Sequence, residues 1–290
     1  MRPDQTPILS RLRDPSPLIT VEMRPPRSGM TYAKSMDVWI DMFHSIQRLT
    51  RRDTMVFLTD NAVGQAEEEN LAHLTSNLGD EVDRSRIVPF LTTKHTLDYC
   101  RMYAKRAASF GFDALTVLGG DRHVGPSRCL PHAFELRKVI RQDIPGLTLG
   151  GWANPHGDPA AQADYLLDVD FTADFFLTQI VSHHDLTMVE AFLKELQRNR
   201  IDTPAIFGVF MYRSGNPGTL ETLREFFPVP IAKVQEEFAG GTTPEEMCVR
   251  TIRSLFELGV TRVYVSNLGY KRVDARYRSL VNALGLPAAH

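Results

Sequence analysis

Glu22 is the residue in this chain whose type and position most strongly suggest chemistry. It lies in the apolar run Ile19–Met23, which is followed by Pro25 and Pro26. The run has the length and β-branched content of a buried strand, and the proline pair must end it. A carboxyl group near the end of such a strand is desolvated, which raises its pKa. Glu22 is therefore either a proton donor near neutral pH or a structural acid held by a partner.

Asp121 is the second carboxylate at a position that could do chemistry. It follows Gly119 and Gly120, directly after the apolar run Ala114–Leu118. Two carboxylates from different strands can share one pocket and still hold different protonation states. The alternative is structural, because an aspartate after a glycine turn is also a good N-cap for the next helix.

Composition excludes several classes of function. The 290 residues carry a net charge of -2 and are 43% hydrophobic, which gives no general attraction to nucleic acid or anionic membranes. Cys100, Cys129 and Cys248 lack the spacing of a metal site or a disulfide framework. No signal peptide and no apolar stretch of the roughly 18 residues needed for a membrane span is visible. We therefore expect a soluble cytoplasmic protein whose thiols are reduced.

Short apolar runs alternate with longer amphipathic segments along the whole chain. Eight strand–helix units in this length favour an α/β fold of the closed (β/α)₈ type, a TIM barrel, over an open doubly wound sheet. No GxGxxG sequence follows the first strand, so a Rossmann fingerprint is missing. We predict one domain over residues 1–290, with a short N-terminal extension over residues 1–17. The predicted strands are Leu18–Met23, Met55–Leu58, Ile87–Leu91, Ala114–Leu118, Leu147–Trp152, Phe175–Ile180, Ala205–Phe210 and Arg262–Val265.

Two further segments have a specific local prediction. Thr243, followed by Pro244 and with Glu246 three positions on, has the form of a capping box that opens a helix, and Gly259 would end that helix. The stretch Pro217–Gly241 predicts an extra helical insertion after the seventh strand.

In a barrel of this kind, chemistry gathers at the carboxyl ends of the strands. The candidate catalytic, substrate-binding and cofactor-binding residues all lie at those ends. They are Glu22, Thr59, Gly120, Asp121, Trp152, Asn154, His156, Gln179 and Phe210.

Three of these strand ends resemble motifs of the methylenetetrahydrofolate reductases. The segment Val21–Pro26 resembles their Phe-Glu-Phe-Phe-Pro-Pro, and Leu118–Asp121 resembles their Leu-Arg-Gly-Asp. The segment Ala173–Gln179 is similar to their Ala-Asp-Phe-Xaa-Ile-Thr-Gln. Order and spacing agree from about Leu18 to about Asn267. Each motif alone is weak, but the three occur in register.

The resemblance implies a (β/α)₈ barrel that reduces 5,10-methylenetetrahydrofolate to 5-methyltetrahydrofolate. It implies that Glu22 is the general acid, Asp121 the active-site aspartate and Gln179 a folate-contacting residue. We add Thr59 and Phe210 as further substrate-binding candidates. Protonation of N10 opens the folate's five-membered ring to a 5-iminium cation, which a neutral carboxyl can promote and an ionised carboxylate can stabilise.

Trp152 and His156 match a Tyr and a His of the family, and Gly120 and Asn154 complete the predicted cofactor-binding set. The family's usual members pass hydride through FAD, but a basic segment that faces the flavin phosphates is replaced here by Tyr165–Asp170, which has no Lys or Arg. A pyrophosphate needs cationic groups or backbone amides. The resemblance is thus to the flavin-independent actinobacterial branch, in which NADH would reduce the iminium directly.

Several alternatives stay open. The chain could be an FAD-dependent reductase with altered contacts, or a folate-binding paralogue without activity. The sequence does not decide between NADH and NADPH, or the oligomeric state. The adjacent His183 and His184 would point in different directions on a helix and lack a third ligand at suitable spacing, so no metal site is predicted.

Overall fold

The computed structural model describes residues 6–60, 67–120 and 125–287 of the chain. Within them, eight parallel strands form a closed barrel in chain order, so that the last strand pairs with the first. The predicted (β/α)₈ TIM barrel is therefore confirmed. The strands are β1 (Leu18–Met23), β2 (Val56–Leu58), β3 (Ile87–Thr92), β4 (Ala114–Leu118), β5 (Thr148–Ala153), β6 (Phe175–Val181), β7 (Ala205–Phe210) and β8 (Arg262–Ser266).

Helices cover the outside of the barrel and follow the predicted alternation. They are α1 (Pro7–Arg13), α2 (Tyr32–Thr50), α3 (Asn70–Asn77), α4 (Leu97–Ser109), α5 (Ala133–Asp143), α6 (Pro159–Leu167), α7 (Thr187–Arg198), α8 (Pro217–Arg224), α9 (Ile231–Ala239), α10 (Pro244–Glu257) and α11 (Val273–Ala283). Among the described residues, none of these helices is both long and apolar enough to cross a membrane.

The local predictions between β7 and β8 are confirmed. The Thr243 hydroxyl accepts the Glu246 backbone N–H at 3.2 Å, and Glu246 accepts the Thr243 N–H at 2.8 Å, which completes the capping box of α10. Gly259 ends that helix with a φ of +82°, a left-handed conformation that favours glycine. The insertion after β7 consists of the two short helices α8 and α9.

Side chains that alternate along the strands fill the inside of the barrel. Phe57 packs against Phe90 and Phe175, with ring centroids 6.1 and 6.5 Å apart. Tyr264 crosses the interior from β8 and donates a hydrogen bond to the carbonyl of Thr178 at 2.7 Å. A barrel of eight strands is narrow enough for such side chains to fill it, so the middle is a packed core.

Two glycines make room for these large rings. A Cβ at Gly208 would lie 2.4 Å from Tyr264 Oη, and one at Gly150 would lie 2.5 Å from Phe175 Cζ. Real Cβ contacts are never this short, so only glycine lets the two rings occupy the barrel axis.

The N-terminal extension contributes a structured element that the sequence analysis did not predict. Helix α1 buries Ile8, Leu9 and Leu12 in the same hydrophobic cluster as the barrel interior. Thr6 also exchanges a hydroxyl hydrogen bond of 2.7 Å with Thr148, the first residue of β5. The helix therefore covers the amino-terminal end of the barrel, and the open end is the one with the predicted site.

Candidate active site

A cavity of about 930 Å³ opens at the carboxyl ends of the strands. Its volume lies in the range of small-molecule binding sites. Of the eight residues predicted from strand ends that the structure describes, five line it. They are Glu22, Gly120, Trp152, Gln179 and Phe210.

Glu22 has the geometry expected of a proton donor. It is the fifth residue of β1, between the buried Val21 and Met23, and its side chain faces the cavity. Ser266, at the end of the adjacent β8, donates a hydrogen bond to Glu22 Oε1 at 2.6 Å. Burial raises the pKa of Glu22, and the nearby Glu67 adds to that rise, whereas the Ser266 hydrogen bond and the Arg24 charge oppose it. The result is a carboxyl group biased toward its neutral form.

Thr59 does not line the cavity, in contrast to its proposed substrate contact. Its buried hydroxyl donates to Glu67 Oε2 at 2.9 Å, and Arg24 pairs with Glu67 Oε1 at 2.8 Å. Glu67 thus links the ends of β1 and β2 beside Glu22. Glu67 was not predicted from the sequence, because it belongs to no motif and to no predicted strand end.

Gln179 is held in place by two hydrogen bonds. Its Nε2 donates to the Phe226 carbonyl at 3.1 Å, and its Oε1 accepts the Ile180 backbone N–H at 2.9 Å. It lies where the register between β6 and β7 shifts, between Leu177 and Ile180. One N–H and one lone pair of the amide remain available to a ligand, which suits a group that presents both an acceptor and a donor.

Aromatic side chains form one wall of the cavity. Phe210 contacts Tyr212 and Phe227, with ring centroids 5.1 and 5.2 Å apart. Phe226 and Phe227 come from the insertion between α8 and α9, and together with Trp152 they make the wall suitable for planar rings. Phe210 and Trp152 were predicted because they lie at strand ends. Phe226 and Phe227 were not predicted, because they lie in the insertion and not at the end of a strand.

Tyr212 is a further candidate that the sequence analysis missed. Its side chain is 5% exposed and lines the cavity. Among the described residues, no group forms a hydrogen bond with its hydroxyl. A buried hydroxyl without a partner is costly, so this group is available to bind a ligand.

Asn154 and His156 do not line the cavity. His156 donates from Nε2 to the Ile180 carbonyl at 2.7 Å, and its backbone N–H donates to Asn154 Oδ1 at 3.1 Å. Both residues thereby fix the loop after β5 against the end of β6. Asn154 is exposed and His156 is partly buried, so their contact with a cofactor stays a prediction.

Among the described residues, four arginines line the cavity: Arg24, Arg27, Arg128 and Arg213. Arg24 is paired with Glu67, and Arg128 donates to the Gly120 carbonyl. Described acidic residues on the same surface are Glu22, Asp60 and Glu225, and Asp60 is paired with His95 at 2.9 Å. The cavity is therefore suited to an anionic ligand.

Asp168 and Asp170, which belong to the segment that replaces the family's basic residues, do not line this cavity. Asp170 pairs with Lys138 on α5, and Asp168 accepts the Asp170 backbone N–H at 2.7 Å. Both follow the end of α6, on the outside of the barrel. Their positions do not test whether FAD binds, so the absence of FAD stays a prediction. Asp121 lies outside the described residues.

The arrangement of His183 and His184 corrects another expectation. They occupy a turn between β6 and α7 rather than a helix, and their ring centroids are 4.0 Å apart. Both Nε2 atoms face Glu237 of α9, at 2.8 and 2.9 Å from its Oε1. The contact of both histidines with Glu237 could not be predicted from the sequence, because Glu237 lies in the insertion, far along the chain.

Comparison with solved structures shows the same fold in several proteins. An uncharacterized protein from Clostridium thermocellum that binds two copies of 5-methyl-5,6,7,8-tetrahydrofolic acid matches with a TM-score of 0.69 and 19% identity, over 93% of this chain and 96% of that one. The protein MsnO8 in its apo form matches with a TM-score of 0.58 and 12% identity, over 94% and 99% of the two chains.

A third match covers a larger protein. A Rubisco-like protein from Rhodopseudomonas palustris has a TM-score of 0.50 and 12% identity, over 93% of this chain and 64% of that one. No protein-family model and no curated protein matches the sequence. At these identities the comparisons establish a shared barrel fold.

Proposed function

We propose that this protein reduces 5,10-methylenetetrahydrofolate to 5-methyltetrahydrofolate, with hydride supplied directly by NADH or NADPH and without FAD. The observation that carries the proposal is Glu22, a recessed carboxyl with a raised pKa that faces a cavity of about 930 Å³. The solved structure from Clostridium thermocellum supports a reduced folate as the ligand class, since that barrel binds 5-methyltetrahydrofolate.

The chemistry assigns a specific step to Glu22. Its carboxyl group gives a proton to N10 of the substrate, and the bond between N10 and the bridging carbon breaks to leave a 5-iminium cation. Hydride from the nicotinamide then adds to the iminium carbon and forms the methyl group. NADH and one proton are consumed, and NAD⁺ is released, so charge and atoms balance. A general acid of this kind contributes about 10²–10⁴ in rate.

The neighbouring side chains fit the two anionic reactants. The available N–H and lone pair of Gln179 suit the mixed hydrogen-bonding edge of a pterin. Arg27 and Arg213 line the outer part of the cavity and are exposed, which places cations where a glutamate tail or a pyrophosphate would leave the site. The proposed role of Asp121 is to stabilise the iminium cation electrostatically.

The absence of FAD rests on the sequence departures from the family and remains part of the proposal. A nicotinamide would then occupy the place of the flavin ring, with Trp152 as its stacking surface. Asn154 and His156 would act by holding the loop after β5, consistent with their hydrogen bonds.

One assay separates this proposal from its alternatives. The purified protein is freed of any flavin, which its visible spectrum verifies, and is mixed with methylenetetrahydrofolate and NADH deuterated at the transferred position. Direct transfer predicts turnover without FAD and a methyl product that keeps the deuterium. Turnover only after FAD addition would identify a flavoprotein, because hydrogen on a reduced flavin nitrogen exchanges with water. Folate binding without NADH oxidation would identify a non-catalytic binding protein.

A further inference from the structure

His183, His184 and Glu237 form a cluster that the proposed reaction does not use. Their donor atoms come from two segments that the barrel brings together, the turn after β6 and helix α9 of the insertion. His183 Nε2 and His184 Nε2 lie 2.8 and 2.9 Å from Glu237 Oε1. The three donor atoms lie within 4.8 Å of one another.

Hydrogen bonds on the far side of both rings fix their orientation. His183 Nδ1 is 2.8 Å from Thr251 Oγ1, and His184 Nδ1 is 2.7 Å from Ser182 Oγ. When the Thr251 hydroxyl donates its own hydrogen to the Met247 carbonyl, 3.3 Å away, it accepts from His183 Nδ1–H. A neutral His183 therefore presents the lone pair of Nε2 to the Glu237 carboxylate. Two electron-rich atoms at this distance require a proton or a metal ion between them.

His184 supplies an independent observation. Its side chain is 6% exposed, and no described group forms a hydrogen bond with its Nε2, although Glu237 Oε1 is near. This buried nitrogen lies within 4.8 Å of the donor atoms of His183 and Glu237. A buried polar atom without a partner that faces two other donors is the arrangement that a bound cation would satisfy.

The geometry points to a transition-metal site of the zinc class at His183 Nε2, His184 Nε2 and Glu237 Oε1. Two neutral imidazole nitrogens and one carboxylate match the ligands of Zn²⁺ with one position left for water, and they do not suit Ca²⁺ or Mg²⁺, which prefer oxygen. Tetrahedral ligands at about 2.0–2.1 Å from zinc are about 3.3 Å apart, so the three side chains would separate by about 0.5 Å.

Two positively charged side chains near the cluster, Arg250 and Lys233, are bound to other atoms of its residues. Arg250 pairs with Glu237 Oε2 at 2.6 Å and leaves Oε1 to the histidines, and its side chain is half exposed, so solvent screens its charge. Lys233 donates to the His184 carbonyl at 2.8 Å. Both positive charges lower the affinity of the site for any divalent cation, and solvent screening limits the contribution of Arg250.

A metal here would fasten the insertion to the barrel. Helix α9 provides one ligand and the turn after β6 the other two. The insertion also supplies Phe226, whose carbonyl accepts the hydrogen bond from Gln179. The metal would thus stabilise the part of the cavity wall that the insertion forms. It would take no part in the proposed reaction.

Metal binding to the full chain, purified without a histidine tag, tests this inference. After chelator treatment and dialysis, the protein is titrated with Co²⁺, whose visible spectrum reports tetrahedral nitrogen and oxygen ligation, and then with Zn²⁺ under elemental analysis. We expect about one metal ion per chain and a higher melting temperature with Zn²⁺. An unchanged melting temperature together with no tetrahedral Co²⁺ spectrum would overturn the site.

Matched variants locate the site. His184→Ala and Glu237→Gln should lose the Co²⁺ spectrum, whereas His44→Ala, which removes an exposed histidine on α2, should keep it. Thr251→Val removes only the partner of His183 Nδ1 and should weaken Zn²⁺ binding about 10–100-fold. Retained stoichiometry in both ligand variants would refute the assignment. Circular dichroism of each variant separates lost binding from lost folding.

Discussion

Ser266 donates its hydroxyl hydrogen to Oε1 of Glu22 over 2.6 Å, and this bond joins the last strand of the barrel to the first. It exists only because the barrel closes, since the two residues are 244 positions apart in the chain. The bond engages one carboxyl oxygen of a side chain that lines the cavity. The two residues therefore control both the direction and the acidity of the proposed proton donor.

Glu22→Gln should lower turnover by about 10²–10⁴, because the amide keeps the shape and the Ser266 contact but cannot supply a proton. The initial rate of NADH oxidation with saturating folate measures this. Glu225→Gln, which changes an exposed carboxylate on the same cavity, is the matched control and should be close to wild type. Equal activity in the two variants would exclude Glu22 as the acid.

Ser266→Ala should raise the pKa of Glu22 further, since the serine hydrogen bond stabilises the ionised carboxylate and lowers that pKa. A general acid works while protonated, so the alkaline decline of turnover should move to higher pH. The pH profile of kcat at saturating substrate measures the shift, with Ser214→Ala at the cavity rim as control. A shift toward lower pH would contradict the assignment.

The raised pKa of Glu22 also predicts how stability depends on pH. Between the unfolded value near 4.5 and the higher folded value, the unfolded chain releases a proton that the folded chain keeps. Rising pH therefore costs the wild type stability through this window. Glu22→Gln lacks this cost, so its stability relative to wild type should increase from pH 4 upward and then level off. Urea unfolding of both proteins across this range tests the sign, and a constant difference would show that the pKa is not raised.

Tyr212→Phe should weaken ligand binding without harm to folding. The Tyr212 hydroxyl is buried and lacks a partner among the described residues, so its removal relieves a cost in the free protein. A lost ligand hydrogen bond is worth about 0.5–1.5 kcal/mol, or roughly two- to twelve-fold in Kd. Calorimetric titration with 5-methyltetrahydrofolate measures it. Unchanged affinity would mean that the hydroxyl does not contact the folate.

Gly208→Ala should destabilise the barrel by about 1–3 kcal/mol, since the added methyl group would lie 2.4 Å from Tyr264 Oη and the packed interior cannot yield. Gly218→Ala, whose new Cβ would have an ordinary contact at 3.5 Å, should leave stability nearly unchanged. Denaturant unfolding distinguishes the two. A Gly208 variant as stable as wild type would indicate that Tyr264 does not occupy the barrel axis.

The sequence by itself determined the barrel and part of its site. Apolar runs such as Ala205–Phe210 are short and separated by amphipathic helices, and strands of a parallel barrel must be buried on both faces, so pattern alone located them to within two residues. The position of Glu22 followed from its place in β1 and from the prolines behind it. Alternation along a strand then directed its side chain inward.

Only the tertiary structure decided which side chains meet. Ser266 donates a hydrogen bond to Glu22 because the barrel closes, and Thr59 donates one to Glu67. Helix α9 places Glu237 beside His183 and His184. These contacts join segments distant in the chain, and their distances depend on how every intervening helix packs. Local pattern is set by the burial of each segment against its neighbours, whereas contacts between segments are set by the packing of the whole barrel.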